Sequence, residues 1–187
     1  PGAQLAEYAR LSQRLERAQV YPHNLGEGKL YGAQENQIFY YLGVAYAGLG
    51  DEAQARRWYE RAAVGLSEPT SAVYYNDQPP DMIFYQGLAR RQLGHEADAR
   101  EIFRRLIDYG RRHLDDDVVM DYFAVSLPDF LVFDEDLNRR NRIHCNYMLA
   151  LGHLGLGEID QARQCFSGAL VEDSMHLGAA IHARDVG

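Results

Sequence analysis

The chain has 187 residues, of which 47% are apolar and 25% charged, a composition that fits one well-cored globular domain and excludes a disordered segment. A formal charge of −8 opposes nucleic-acid phosphates and anionic membranes as partners, and no apolar stretch approaches the roughly 20 residues of a membrane-spanning helix. Two cysteines, Cys145 and Cys165, make no disulfide framework. The chain begins at Pro1 and is expected to be a mature or excised piece of a longer protein. With no signal or transmembrane segment in view, a cytoplasmic location is expected.

In chain order, the first predicted element is an amphipathic opening helix over residues 4–19, with Leu5, Tyr8, Leu11 and Leu15 at helical spacing. It is expected to be the end of an earlier repeat or a cap. The stretch YPHNLGEGKLYG, residues 21–32, then gathers glycines and a lysine. A phosphate loop needs four residues between its glycines, then Gly-Lys-Ser/Thr, all after a strand. Here Leu30 follows Lys29 and the preceding segment reads helical. Pro22 is expected to end the helix, with Gly26 and Gly28 permitting a reversal. The alternative is a loop at the mouth of a groove, touching a ligand or a neighbouring domain.

The main organisation is a repeat. LGDEAQARRWYERA (49–62), LGHEADAREIFRRL (93–106) and LGEIDQARQCFSGA (156–169) align without gaps. Each begins with Leu-Gly, a helix stop, followed by acidic residues suited to the next helix's N-terminus. Each then places an alanine (Ala55, Ala99, Ala162), a ring four residues on (Tyr59, Phe103, Phe166), and Ala62, Leu106 or Ala169 after that. On the preceding helices Gly43, Gly87 and Ala150 supply the small residues that close helix contact needs. These residues resemble tetratricopeptide repeats, whose helix-turn-helix unit of about 34 residues carries Leu-Gly, Tyr, Ala, aromatic and Ala at fixed spacings. The unit at about 36–69 matches with Phe39, Leu42, Gly43, Tyr46, Ala55, Tyr59 and Ala62. The unit at 80–113 keeps Gly87, Ala99 and Phe103 but has Gln86 and Arg90, and the unit at 143–176 has Ala150 and His153 where Gly and Tyr are usual.

The equivalent alanines lie 44 and then 63 residues apart, so insertions of about 10 and 29 residues interrupt the period. SEPTSAVYYNDQPP makes a proline-rich connection. The insertion at about 114–140 carries Val118, Val119, Met120, Tyr122, Phe123, Phe130, Leu131, Val132 and Phe133. It predicts one or two extra short helices packed on the solenoid, with Pro128 breaking or starting one. YPHNLGEGK and DYFAVSLPDFLVFDEDL also resemble the C-terminal repeat region of large bacterial proteins of uncharacterised function, whose upstream part is β-rich and similar to sugar-processing folds. That likeness implies an accessory module of a larger carbohydrate-linked protein.

The candidate chemistry is sparse. No two of the seven histidines stand four apart, and Cys145 and Cys165 lack zinc-ligand spacing, so no metal is expected and the thiols read as buried. Asp115 to Asp117 and Asp134 to Asp136 have no nucleophile beside them and read as a solvated face or helix caps. No serine sits in a nucleophile elbow. No cofactor and no catalysis are expected of this chain. By register, the concave face of such an array is lined by Gln37, Tyr40, Val44 and Ala47, then Asp81, Phe84, Leu88 and Arg91, then His144, Tyr147, Leu151 and Leu154. This face is aromatic and aliphatic, without the lysine, asparagine and arginine that clamp a carboxylate in the family's chaperone-tail binders.

The reading is therefore an all-α, single domain over residues 1–187, a short right-handed solenoid of helical hairpins with inserted helices. The expected function is a scaffold binding a protein segment or a neighbouring domain of the same chain, with no nucleic acid and no membrane contact. The alternative is an accessory helical module of a carbohydrate-active enzyme with its catalytic residues upstream. The groove is either open or covered by the insertions.

Overall fold

The computed structural model describes residues 2–21, 33–72, 79–119 and 136–187. Every regular element among them is helical: α1 (Gly2–Ala18), α2 (Asn36–Gly48), α3 (Glu52–Ala62), α4 (Pro80–Gln92), α5 (Glu96–His113), α6 (Leu137–Leu156), α7 (Ile159–Glu172) and α8 (Leu177–His182), closed by a 3₁₀ turn at Ala183–Val186. The loop at 22–32 and most of the insertion, 120–135, lie outside the described residues, as do the inserted helices expected there. The chain divides into two compact units, one of residues 1–67 and 81–102, the other of residues 68–80 and 103–187.

The three aligned segments share one turn. Gly50, Gly94 and Gly157 have φ of 81°, 83° and 79°, the left-handed conformation that favours glycine. Around each, the same two hydrogen bonds close the preceding helix. The glycine N–H reaches Ala47, Arg91 or Leu154 at 3.0 Å, and the next N–H reaches Tyr46, Arg90 or His153 at 2.9 Å. This is a Schellman stop, made three times. Each alanine then makes the first bond of the following helix, its N–H meeting the carbonyl of Asp51, His95 or Glu158 at 2.9–3.0 Å. Ala55, Ala99 and Ala162 are buried, as are Tyr59, Phe103 and Phe166, and Ala62, Leu106 and Ala169.

In the first unit, α2 and α3 touch where the sequence supplies small residues. A Cβ on Gly43 would overlap the Tyr59 ring, and one on Gly48 would overlap the Tyr8 ring of α1. Leu42 and Ala45 fill the seam, and Ala89 of α4 joins the cluster around Tyr59. After α3 the chain is held by side-chain amides. Asn36 Nδ2 donates to the carbonyls of Ala62 and Val64, both at 2.8 Å, and Gln86 Nε2 donates to Leu66 at 2.9 Å. Gly65 between them has φ 147°, and a Cβ there would press on the Gln34 and Gln86 amides at 2.8 and 2.9 Å. Gln86, a departure from the repeat pattern, thus serves the connection after α3.

In the second unit, glycines again set the approach. A Cβ on Gly155 would overlap the Phe103 ring, one on Gly152 would meet Ile107 at 2.6 Å, and one on Gly110 would meet Leu149 at 2.7 Å. Asp136 caps α6, its carboxylate accepting from Arg139 N–H at 2.9 Å, as its place ahead of that helix predicts. The first two turns of α6 are braced through side chains. Asn141 donates to the His113 carbonyl at 2.5 Å, and the Arg142 guanidinium lies 3.0 Å from Glu172 of α7.

One repeat column keeps a polar role with changed residues. Tyr46, Arg90 and His153 occupy equivalent positions, and each meets a carboxylate: Tyr46 to Glu16 at 2.5 Å, Arg90 to Asp98 at 3.2 Å, and His153 to Glu158 at 2.5 Å. The hydrogen bond that the Tyr46 hydroxyl donates to Glu16, with some burial, raises that hydroxyl above its usual pKa.

Candidate functional site

The twelve positions expected to line a concave face differ in exposure. In the first unit Gln37, Tyr40, Val44, Ala47, Asp81, Leu88 and Arg91 are half-buried and Phe84 is buried. In the second, His144 and Leu154 are half-buried, while Tyr147 and Leu151 are buried.

In the first unit the Tyr40 ring packs against Tyr41, Tyr59 and Tyr85 at centroid distances of 5.4, 5.8 and 5.5 Å. Burial raises the Tyr40 phenol above its usual pKa and pushes Tyr59 up to about 12, so both rings stay protonated and neutral. Tyr41 and Tyr85 stack edge-on at 5.5 Å and share a hydrogen bond between their hydroxyls at 3.2 Å. Tyr41 remains 39% exposed, making it the outer edge of a tyrosine cluster. The register pointed to Tyr40 alone; the Tyr40-Tyr41 pair was the visible signal for the rest. Arg91, on the same helix as Phe84, pairs with Glu96 at 3.1 Å, and Glu96 also holds Arg100 at 3.0 Å. A second aromatic group lies on the α2–α3 hairpin. Phe39 and Trp58 stack at 5.8 Å with the Arg61 guanidinium 4.1 and 4.6 Å from their centroids.

In the second unit His144 Nε2 lies 2.8 Å from the Thr70 carbonyl, so the imidazole donates there. Burial holds its pKa below the usual histidine value, against the opposing pull of that hydrogen bond. Tyr147 is covered by the end of the chain: its ring lies 4.6 Å from His176 and 6.4 Å from His182, and a Cβ on Gly178 would overlap its hydroxyl. Nothing in the repeat columns signalled α8, the element that makes this cover.

Cys145 is fully buried, and burial pushes its thiol up to about 12; burial also raises the half-buried Cys165. Neither is poised as a thiolate nucleophile. Among the described residues no group of three His, Cys, Asp or Glu side chains is placed to hold a metal ion, and no helix is long and apolar enough to cross a membrane.

Residues 81–109 match the family model of the tetratricopeptide repeat. The match falls on the α4–α5 hairpin, whose columns depart from the pattern at Gln86 and Arg90. Repeats of this kind commonly form protein-interaction scaffolds and are generally non-catalytic. No solved structure matches the chain.

Proposed function

We propose that this tetratricopeptide-repeat protein is a non-catalytic docking scaffold, taking an uncharged segment of a partner protein, or of a neighbouring domain of its own chain, on the aromatic face of its first helices. The observation that carries the reading is α2. Its sequence NQIFYYLGVAYAG is apolar on more faces than Leu42 and Ala45 bury. A helix apolar all round is ordinarily covered on every side, yet Tyr41 stays exposed, with Tyr40 and Val44 half-buried. Aromatic anchors in a partly desolvated groove are the usual energetic centres of segment binding. The ion pairs of Arg91 and Arg90 within the same unit leave the tyrosines as the distinctive chemistry.

The test is a photo-crosslinking side chain at position 41, with position 57 on the exposed face of α3 as control. The partner segment should crosslink at 41 and not at 57. Substituting Tyr41→Ala should then leave the thermal melt nearly unchanged and weaken binding of that segment by about 1–2 kcal/mol. Tyr147→Ala and Phe84→Ala should behave as core truncations, costing about 3–5 kcal/mol of stability. Equal crosslinking at both positions, or undiminished binding by the Tyr41 variant, defeats the reading.

A further inference from the structure

The short helix α8 is packed inside out. Its small and polar residues turn towards Tyr147: Ala179 and His182 are buried, and a Cβ on Gly178 would overlap the Tyr147 hydroxyl. Its two large aliphatic side chains, Leu177 and Ile181, stand four residues apart on one side of the helix and keep 71% and 46% exposure. A surface helix ordinarily buries such a stripe against its own core. The connection into α8 continues the pattern. Val171, in the last turn of α7, and Met175 are 87% and 85% exposed. Large apolar side chains gathered in solvent over residues 171–181 do little for the hairpin that carries them, and a patch of this kind marks a contact surface.

The charges beside the stripe point to what covers it. Glu172 is held by Arg139 and Arg142, and Asp185 lies 3.6 Å from His182 Nδ1. Asp173 and Arg184 remain. The Asp173 carboxylate accepts from Met175 N–H at 2.9 Å, Arg184 is exposed, and neither makes an ion pair among the described residues. An unmatched negative charge therefore precedes the stripe in sequence, and an unmatched positive charge follows it. That order is self-complementary. A twofold axis at the level of residue 179 sets Leu177 against Ile181 of a second copy, and sets Asp173 beside that copy's Arg184, once on each side of the axis. Asp185 is the one like charge brought near Asp173 by this pairing, and its carboxylate already faces His182.

We infer that the outer face of α8, with the connection before it, is a self-association surface on which two copies of this chain pair antiparallel through Leu177, Ile181 and Met175, with Asp173 meeting Arg184 at both ends. A few apolar side chains rimmed by two charge pairs make an interface near the lower end of what specific pairs bury. The dimer therefore forms and dissociates with protein concentration. The net charge of −8 opposes pairing only at long range, where salt screens it beyond about 8 Å under physiological conditions. The inference is independent of the docking reading, which concerns the first unit.

Sedimentation velocity of the whole chain tests it, over about a hundredfold range of micromolar concentrations. The average mass should climb from monomer towards dimer across that range. Leu177→Asp places a carboxylate in the first turn of α8, where a helix tolerates it well, and should weaken pairing at least about tenfold with an unchanged circular dichroism spectrum. Two charge reversals then test the register. Arg184→Asp alone, or Asp173→Arg alone, sets like charges together at both ends and should weaken pairing about tenfold. An equal mixture of the two variants restores opposite charges at both ends and should dimerise as the native chain does. A native chain that stays monomeric throughout leaves this face to another protein or to a further segment of a longer chain, and overturns the inference. A Leu177→Asp variant that still dimerises overturns it as well, as does a mixture of the two reversals that pairs no better than either one alone.

Discussion

The three Schellman turns give a quantitative prediction. At Gly50, Gly94 and Gly157 a Cβ would meet nothing within 4 Å, so substitution by alanine adds no steric clash and isolates the backbone cost. Holding an L-residue in the left-handed region costs about 1–2 kcal/mol. Alanine returns part of this, about 0.4–1 kcal/mol, by narrowing the unfolded ensemble. The net expectation is about 1 kcal/mol at each site, or a fall of about 2–4 °C in Tm for a chain of this size. Urea melts followed by circular dichroism measure all three. The fluorescence of Trp58, the one tryptophan, reports Gly50→Ala and Gly94→Ala within their own unit. Near-equal costs are the signature of one turn used three times. A variant that loses nothing, or one that loses more than about 3 kcal/mol, would refute the equivalence.

Two further outcomes follow from packing and from charge. Ala162 is fully buried, so Ala162→Phe should overpack the α6–α7 contact and lower stability by about 1–3 kcal/mol; an unchanged melt would mean the helices meet in another register. For His144, burial depresses the folded pKa, so on acidification the unfolded chain takes up this proton first. The stability due to neutral His144 is therefore complete above the unfolded value, near 6.5, and is lost as pH falls from there towards the folded pKa. Urea melts between about pH 8 and 5 should show that decline, and His144→Gln should remove part of it.

Much of the repeat was legible because it is written in residues whose physical demands are narrow. Leu-Gly followed by an acid predicts a glycine stop and a new helix, and Gly50, Gly94 and Gly157 adopt it. Ala55, Ala99 and Ala162 are the small residues that close helix contact calls for, and all are buried. Asp136 was readable as a cap from its place ahead of α6. The fate of the expected groove residues was less legible. A register gives the direction in which a side chain leaves its helix, but not what lies above it. Tyr40 and Tyr147 hold the same column, yet one is half-buried and the other covered by α8. That short helix escaped notice because LGAAIH is too brief to show a period and its cap is histidine, outside the usual Ser, Thr, Asp and Asn. The amide latch of Asn36 and Gln86 was likewise invisible, since it recognises backbone carbonyls far along the chain rather than any residue pattern.

The column of Tyr46, Arg90 and His153 bears on how the hairpins could be transplanted. Arg90 and His153 find their carboxylates inside their own hairpins, in Asp98 and Glu158. Tyr46 takes its carboxylate from Glu16, on the helix before its hairpin. A chimera that grafts the second or third hairpin into another array carries this polar pair along. A graft of the first hairpin leaves this carboxylate behind unless α1 travels with it, so keeping the polar pair at the front of this protein takes three helices rather than two.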